Sequence, residues 1–460
     1  MSSNASTSTV SEKIAEWVIT TKYSDIPTEV VNIAKLCILD SIGVTLAGTR
    51  EPVTEIVRKY LNNVKGAEQS TVIGLGIKTI CTEAAFANGL ISHCLDYDDY
   101  LVPMAGAGGP HITATVLPAA LAMAEKGNLS GKELIEAYIL GCEVTCGVGH
   151  GVDPTHYNLG WHTTGTEGIF GATVAAAKLL GLSHEEMTYA LGTCCSEASG
   201  LRENFGTMTK PFHAGQAASK GIKAAMLAKL GFNSSKSIFE GRYGFGNVLS
   251  KKPKTEEIPQ SLGKPFCLPQ IVLKLYPCCG GSHTAIYAAL KLRKQYDISA
   301  ADIEQVDINI DPLIPSVLVY ETPQTALEGK FSMQFPIALA LAEGEVTLPQ
   351  FTDGKVKDPE IVALMQKVKL IPKPELCAKN TVSTPVTVEI KLKGGRKLAA
   401  SWEYHPGTPH VPHYEEGILG KYKVCARLVL PKRRAEESME LIMHLEEIDD
   451  VSKLLELLVV

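Results

Sequence analysis

The sequence has little that would direct it to nucleic acid or into a membrane. Its 460 residues carry a net charge of -6, and no basic stripe suited to a phosphate backbone is visible. No apolar run reaches the ~20 residues that a membrane span needs. The start of the chain, MSSNASTSTVSEK, is rich in Ser and Thr and lacks a basic segment followed by an apolar one. We therefore predict a cytoplasmic protein that binds neither nucleic acid nor membrane, with a disordered tail at residues 1–9.

Several common signatures of catalytic and metal sites are also missing. The 12 cysteines are scattered, and none forms a CxxC pair matched by a second, as a structural zinc site would require. The chain has no GxSxG elbow, no P-loop and no histidine pair with zincin spacing. The simplest prediction for the cysteines is reduced, mostly buried thiols in a reducing compartment.

Helical patterning dominates the first half of the chain. Apolar residues make up 45% of the sequence and charged residues 20%, as in ordinary globular proteins, and the length suffices for two or three domains. Apolar residues recur at helical spacing in Val10–Thr20. Ser130 and Ser183 are each followed three residues later by glutamate, which predicts capping boxes. The Ser130 helix should run to about Gly149. We predict a helix-on-helix domain over residues 10–267, with no strands.

The pattern changes after a Pro-rich stretch that begins near Pro253. Apolar residues then alternate with polar ones at Val306, Ile308 and Ile310, as in a half-buried strand. A second alternation leads through Gly394-Gly395 into Lys397–Glu403, which predicts a β-hairpin. Helices are predicted between these strands, at Ser332–Glu343 and Glu360–Val368.

Helical patterning returns from Glu415. The predicted fold class is therefore mainly α, with a large all-helical domain and an inserted, smaller α+β domain at residues 268–400. Residues 401–460 are predicted to return to the helical domain.

The stretch from Phe86 to Pro118 gathers the first residues that suit catalysis. After a helical start it places one histidine and three acids within seven residues: His93, Asp96, Asp98 and Asp99. A Gly/Pro break at Met104–Pro110 then leads to His111. A glycine loop lets a ligand approach the backbone. The structural alternative is that the acids cap helices and the histidine is a core residue, and for this cluster alone that alternative is favoured.

Three later segments repeat the combination of polar residues and glycines. They centre on Gly160-Trp161-His162, on Lys210-Pro211-Phe212-His213, and on Lys274 to His283 with Cys279 between them. Taken singly, each has a structural explanation that is at least as good: solvated lysines, capping histidines, or a thiol that fills a core gap. Four such clusters in an apolar helical chain are hard to explain by packing.

These segments resemble the MmgE/PrpD superfamily, and the resemblance covers nearly the whole chain. The ordered motifs that carry it are His93-x-x-Asp96-x-Asp98-Asp99, His111 before Val116-Leu117-Pro118, Gly160-Trp161-His162, Gly206 to Gly215, and Lys274-x-Tyr276-Pro-x-Cys279-x-x-x-His283. Members of this superfamily include 2-methylcitrate dehydratase, cis-aconitate decarboxylase and iminodisuccinate epimerase. The resemblance implies a helical domain with an α+β lid, a homodimer, a site between the two domains, and no metal or organic cofactor.

The resemblance also implies site residues. The positions that match the aconitate decarboxylase branch are Asp96, His111, His162, Lys210 and Lys274. His213 and His283 lie in the same motifs and are assigned, with His162, Lys210 and Lys274, to substrate binding. Two departures from that branch are Tyr100, where it has threonine, and Cys279, where its animal members have histidine. These departures leave the substrate open.

A chemical hypothesis follows for a small anionic carboxylate substrate. Lys210, Lys274 and His162 would bind carboxylates and stabilise negative charge in the transition state. His111, oriented by Asp96, would be one acid/base group and Cys279 the other, with Tyr100 as a relay. Loss of water or of carbon dioxide gives a lyase (dehydratase or decarboxylase), and return of a proton to the opposite face gives an isomerase of the epimerase type. A third hypothesis is a non-catalytic binding protein.

Overall fold

The structure is a computed structural model that describes residues 8–64, 66–101, 108–378 and 382–460. The predicted tail at residues 1–9 and the Gly/Pro break at Met104–Pro110 lie largely outside the described residues. Most described residues are helical. The helices, in chain order, are α1 Val10–Thr20, α2 Thr28–Gly48, α3 Pro52–Asn63, α4 Cys81–His93, α5 Ile112–Gly127, α6 Gly131–Asn158, α7 Thr163–Thr166, α8 Gly168–Leu179, α9 His184–Cys195, α10 Thr209–Lys229, α11 Phe245–Leu249, α12 Ile258–Ser261, α13 His283–Tyr296, α14 Ala326–Gly329, α15 Gln334–Glu343, α16 Asp353–Val356, α17 Pro359–Met365, α18 Tyr414–Ala426, α19 Lys432–Met443 and α20 Ser452–Leu457.

The chain divides into two compact units. The first unit comprises Met1–Cys94, Asp98–Pro269 and Leu419–Val460, and the second comprises Leu95–Tyr97 and Gln270–Ile418. The mainly α character agrees with the sequence analysis. The predicted domain boundaries and the lid arrangement stay predictions.

The helices of the first unit begin where local sequence signals predict. Ser130 Oγ accepts a hydrogen bond from the Glu133 amide, and the Glu133 carboxylate accepts one from the Ser130 amide, so the predicted capping box is confirmed. The box of Ser183 and Glu186 is confirmed in the same way. The prediction that α6 ends near Gly149 was wrong, because packing against α8 and α12 sustains this glycine-rich helix to Asn158.

Three helices of the first unit meet almost backbone to backbone. A Cβ on Gly89 in α4 would stand 2.9 Å from the Ala114 carbonyl oxygen in α5 and 3.0 Å from Gly215 Cα in α10. A Cβ on Gly215 would stand 2.4 Å from the Phe86 carbonyl oxygen. Only glycine permits this approach, and it holds one end of α4 close to the starts of α5 and α10.

The first unit is not all-helical, which corrects the sequence analysis. Strands β1 Ser70–Val72 and β2 Ile77–Thr79 form an antiparallel hairpin. Gly74 and Gly76 make its turn with φ of 72° and 62°, a region that glycine enters without a steric penalty. Strands of three residues are too short to show the alternation by which strands are recognised.

The second correction concerns α2. By length and composition this helix of 21 residues, whose most apolar 18-residue window has a mean hydropathy of 1.7, is long and apolar enough to cross a membrane, contrary to the sequence analysis. In the structure 94% of its most apolar window is buried inside the protein. Core helices pass the same test, so α2 alone is weak support for a membrane span.

The second unit is built on a four-stranded sheet. Its strands are β3 Ile303–Ile310, β4 Val368–Pro372, β5 Ser383–Leu392 and β6 Lys397–Tyr404, in the order β4-β3-β5-β6. The predicted hairpin of β5 and β6 is confirmed, and the buried positions of β3 alternate as predicted. The predicted helix Glu360–Val368 was wrong at its end. Val368 begins β4, a short strand parallel to β3, and α17 stops at Met365.

All 12 cysteines lack disulfide bonds, and most are buried, as the sequence analysis predicted. Cys142 and Cys146 both lie inside the first unit. Their burial agrees with the usual role of unpaired cysteine as a small apolar residue.

A buried ion pair fastens the C-terminal segment to α2. Lys421 Nζ lies 2.7 Å from Asp40 Oδ1, with side-chain exposures of 3% and 1%. We expect Lys421→Met to lower the free energy of unfolding by about 3–5 kcal/mol, because the buried Asp40 carboxylate loses this cation. Urea unfolding measures the change.

The matched control is Lys453→Met. Lys453 pairs with Asp449 at 2.5 Å, but the side chains are 60% and 80% exposed. Its loss should cost less than about 1 kcal/mol. Equal effects of the two substitutions would contradict the structural role given to the buried pair.

Candidate active site

A buried carboxylate of the first unit lies between two imidazoles. His93 Nδ1 is 2.9 Å from Asp98 Oδ2, and His111 Nδ1 is 3.0 Å from the same oxygen. His93 is the last residue of α4, Asp98 lies in the turn that follows, and His111 is the residue that caps the start of α5. The His111 amide donates to Thr164 Oγ1 at 3.1 Å, which holds the capping residue in place.

The electrostatics of this cluster favour an ionised Asp98 beside a neutral His93 ring. Burial lowers the pKa of His93 to about 3, although Asp98 opposes that shift. Burial alone would raise the pKa of Asp98, but His93 and His111 together hold it well below its usual range. Both imidazoles then present Nδ1–H to the carboxylate, a tautomer inferred from the contacts. Nε2 is the His111 nitrogen outside this contact, and the His111 side chain is 11% exposed.

The same three side chains are close enough for their polar atoms to share an ion. One atom from each of His93, Asp98 and His111 lies within 4.8 Å of the others. The contacts at 2.9–3.0 Å already occupy the Nδ1 atoms and the carboxylate oxygens with one another. We therefore assign these residues as hydrogen-bonding partners, and a reaction without a metal stays a prediction.

A second group in the first unit combines two histidines with a lysine. His162 Nδ1 lies 2.9 Å from His213 Nδ1, so one ring donates and the other accepts. Burial and the nearby Lys210 lower the pKa of His162 well below its usual range and that of His213 to about 4. Lys210, in the first turn of α10, is 4% exposed. The group therefore offers one cation and neutral N–H groups, which suits an anionic ligand.

His162 connects the two groups of the first unit. Its ring stacks on that of His93 with centroids 6.0 Å apart. Lys210 lowers the pKa of His93 as well as those of His162 and His213. Tyr100 also lies close, with its ring centroid 6.3 Å from that of His111.

In the second unit, Asp96 and Lys274 form a buried ion pair. Lys274 Nζ lies 3.0 Å from Asp96 Oδ2 and 2.8 Å from the Asp96 carbonyl oxygen, and Lys274 is 1% exposed. Asp96 has a φ of 52°, a left-handed conformation that only a few residue types adopt readily. This turn directs Asp96 and Asp98 to different partners.

The second unit also holds Cys279 and His283. The half-buried Cys279 donates its amide to the Lys330 carbonyl at 2.9 Å, just before a short turn that leads into α13. His283 is fully buried, contacts the Cys278 carbonyl through Nε2 at 3.1 Å, and stacks on His405 with centroids 4.7 Å apart. Burial, with help from His283 and Lys274, lowers the pKa of His405 well below its usual range.

The structure thus brings the predicted site residues together in two sets, one in each unit. His111, His162, Lys210 and His213 belong to the first unit, whereas Asp96, Lys274, Cys279 and His283 belong to the second. Within the first unit, Asp98 is the carboxylate that contacts His111, and the predicted orientation of His111 by Asp96 stays a prediction.

Sequence reasoning assigned no role to Asp98, His93 or His405. The first two were visible in the same seven-residue cluster as Asp96, and a contact with His111 was the missing information. His405 lies two residues before Gly407-Thr408, which is the sequence feature that could have drawn attention to it. In the structure the Gly407 amide donates to His405 Nδ1.

Comparisons with known proteins agree with this arrangement of motifs. A cis-aconitate decarboxylase of Aspergillus terreus is 30% identical, over 99% of this chain and 97% of that protein. The human cis-aconitate decarboxylase is 29% identical, over 98% of this chain and 94% of that protein. The 2-methylcitrate dehydratase of Escherichia coli (strain K12) is 24% identical over 88% of each chain.

Family models extend over both units of the chain. The MmgE/PrpD N-terminal domain matches residues 12–258, and the MmgE/PrpD C-terminal domain matches residues 276–447. The two matches together span far more than half of the sequence, so the protein belongs to the MmgE/PrpD family, as its motifs predicted.

Proposed function

We propose that the protein is a cofactor-independent lyase that acts on a small di- or tricarboxylate, removing water or carbon dioxide next to a carboxylate. Membership of the MmgE/PrpD family and full-length similarity to decarboxylases and dehydratases support this proposal. The observation that carries it is the contact of Asp98 with His111, because it holds an imidazole that can exchange a proton in the same unit as the buried cation Lys210.

The first unit supplies groups for both binding and proton transfer. A carboxylate of the substrate would accept hydrogen bonds from Lys210 and from an N–H of His162 or His213. Chemistry at the neighbouring carbon places negative charge on that carboxylate, so these donors stabilise the transition state more than the substrate. In a dehydration, His111 takes the carbon-bound proton, and Cys279, as the second acid/base group, protonates the hydroxyl group, which leaves as water.

In a decarboxylation the same donors would serve a different bond cleavage. The carbon–carbon bond to the leaving carboxylate breaks, carbon dioxide departs, and the electron pair stays on the substrate. A protonated acid then delivers a proton to that carbon. We assign this donor to Cys279, with Tyr100 as a relay, and substrate binding to Lys274 and His283.

An epimerase is the second candidate function, and the presence of two different acid/base candidates favours it. His111 and Cys279 would take a proton from one face and return one to the other. Such a reaction needs no leaving group, and the charge stabilisation by Lys210 is the same. Iminodisuccinate is the type of substrate expected for this branch.

We also propose a cytoplasmic homodimer. The unbonded thiols support a reducing compartment. An exposed apolar patch on the first unit supports self-association. Its members are 36–56% exposed, and an edge-to-face chain of rings joins Tyr60 to Phe86 and Phe86 to Phe212, each with centroids 5.8 Å apart. The patch consists of Ile56, Tyr60, Val64 and Phe212.

Removal of either central group should abolish most activity. We expect His111→Ala and Lys210→Ala each to lower turnover at least ~100-fold while the fold is kept, as is typical of acid/base and charge-stabilising groups. Steady-state kinetics and thermal melting measure the two properties. His444→Ala and Lys59→Ala, at exposed positions, should retain turnover. Near-normal rates for both His111→Ala and Lys210→Ala would remove the assignment.

The reaction class can be read directly from the products. Aconitate, methylcitrate, citrate and iminodisuccinate are each followed by proton NMR in deuterated water. A new alkene identifies a dehydratase, loss of carbon dioxide a decarboxylase, and deuterium exchange with stereochemical inversion an epimerase. We expect a lyase reaction on one of the tricarboxylates. Binding without any conversion would favour a non-catalytic protein.

The homodimer has its own test. Light scattering should give about twice the chain mass of 49.4 kDa for the natural sequence and the single mass for Ile56→Glu/Tyr60→Glu, because two charges would be buried in the interface. Val248→Glu, at a position that is 61% exposed but outside the patch, should stay dimeric. A monomeric natural protein would contradict the proposal, and a dimeric double variant would contradict this surface.

A further inference from the structure

Asp99 lies next to Asp98 in the chain but has an entirely different environment. Its carboxyl group accepts a hydrogen bond from the Thr113 amide through Oδ1 at 3.3 Å and forms a short hydrogen bond with Thr113 Oγ1 through Oδ2. Thr113 Oγ1 in turn lies 2.6 Å from Tyr138 Oη. Asp99 is 1% exposed, and Thr113 is fully buried. The contacts of Asp99 are therefore with neutral groups.

The lack of a nearby positive charge sets Asp99 apart from the other buried acids around it. Asp98 faces two imidazoles, and Asp40, in α2, pairs with Lys421. Among the residues that the structure describes, no lysine, arginine or histidine lies within ion-pair distance of Asp99. Two carboxylates, Asp98 and Asp40, are close enough to oppose its ionisation. A buried carboxylate without a cation and next to like charges is costly.

We propose that Asp99 is protonated at neutral pH and that, as a neutral acid, it is a positioning residue that holds the start of α5 and thereby His111. Thr113 is the second residue of α5, directly after Ile112, and His111 caps the same helix. A carboxylic acid satisfies both contacts at once. Its carbonyl oxygen accepts from the Thr113 amide, and its O–H donates to Thr113 Oγ1, which donates to Tyr138 Oη.

The surrounding groups agree with this assignment. Burial raises the pKa of Asp99 to about 8, with Asp98 and Asp40 raising it further and the Thr113 contacts opposing. Burial also raises the pKa of Tyr138, in α6, well above its usual range, and it does the same for the thiols of Cys142, in α6, and Cys37, in α2. All three groups are therefore neutral, and none supplies a positive charge that would ionise Asp99.

The consequence for catalysis rests on the proposed function. Above a pH of about 8, Asp99 would become a second negative charge beside Asp98, and its hydrogen bond to Thr113 Oγ1 would have to reverse. The position and basicity of His111 would change together. We therefore expect kcat/KM to fall on the alkaline side as Asp99 ionises.

The consequence for stability does not depend on any reaction. A carboxyl whose pKa is raised in the folded state binds a proton there that the unfolded chain has already lost. Stability therefore falls as pH rises from the unfolded pKa towards the folded one, and it becomes constant above the folded pKa. For Asp99 this window runs from about pH 4 to about pH 8.

Replacing each of the two neighbouring aspartates, Asp98 and Asp99, by asparagine tests the proposal. Asp99→Asn reproduces both hydrogen bonds of the neutral acid, so its kcat/KM at pH 6.5 should stay within about threefold of the natural protein. Its alkaline decline should move up by at least about one pH unit. Asp98→Asn, the matched control, removes a charge that two imidazoles share and should lower kcat/KM at least ~100-fold. The proposal would be overturned if kcat/KM of Asp99→Asn declined at the same alkaline pH as that of the natural protein. It would also be overturned if Asp99→Asn lowered kcat/KM as much as Asp98→Asn does.

Two measurements decide the protonation state without a substrate. Relative to Asp99→Asn, the unfolding equilibrium constant of the natural protein should rise about tenfold per pH unit between about pH 5 and pH 7.5. Infrared difference spectra between the two proteins should show a protonated carboxyl band that Asp99→Asn lacks, separate from the constant contribution of other buried acids such as Glu143 and Glu167.

The outcomes of these measurements separate the two proposals. A parallel pH dependence of unfolding, or no difference band, would show that the native carboxyl is ionised. An Asp99→Asn protein that does not fold would contradict the claim that an amide replaces the neutral acid. If the band is present while no carboxylate is turned over, the proposed lyase function fails and the assignment of Asp99 stands.

Discussion

The ionised carboxylate of Asp98 in an apolar interior is the constraint on which the rest of the candidate site depends. A buried charge is tolerated only when hydrogen bonds replace the water it has lost. Here the replacements are the Nδ1–H groups of His93 and His111, one from the end of α4 and one from the start of α5. The helices must therefore meet within a few ångströms. The glycine contacts of Gly89 and Gly215 make that approach possible and bring α10, with Lys210, to the same place.

Three acids within four residues show how strongly tertiary contacts decide what a sequence motif does. Asp96 pairs with Lys274, Asp98 is shared by two imidazoles, and Asp99 is hydrogen-bonded to Thr113. All three are aspartates in one short segment, and nothing in the sequence distinguishes them. The cluster could therefore be recognised from the sequence, but the role of each aspartate could not. The left-handed backbone of Asp96 separates it from Asp98, and such a conformation leaves no pattern in the sequence when the residue is not glycine.

The fold was predictable where the signal is local and less so where it depends on neighbours. Capping boxes at Ser130 and Ser183 and the alternation of β3 were read correctly, because hydrogen bonding and side-chain period act within a few residues. The hairpin of β1 and β2 and the edge strand β4 were missed, because each has at most five residues and is stabilised by its pairing partner. The apolar α2 looks like a membrane helix for the same reason, since only the surrounding helices reveal it as buried core.

The proposed division between charge binding and proton transfer would let one arrangement of residues serve several reactions. In that proposal, Lys210 and the neutral rings of His162 and His213 would stabilise negative charge next to a carboxylate, whichever bond breaks. In the proposed mechanism His111 would transfer the proton, and its contact with Asp98 would set its readiness to do so. The outcome then depends on what the second acid/base group does. A group that protonates a leaving hydroxyl gives a dehydratase, whereas one that protonates carbon gives a decarboxylase or an epimerase. In the proposed mechanism Tyr100 and Cys279 do not hold the carboxylate, so these two positions, rather than the anion-binding groups, would decide the reaction class.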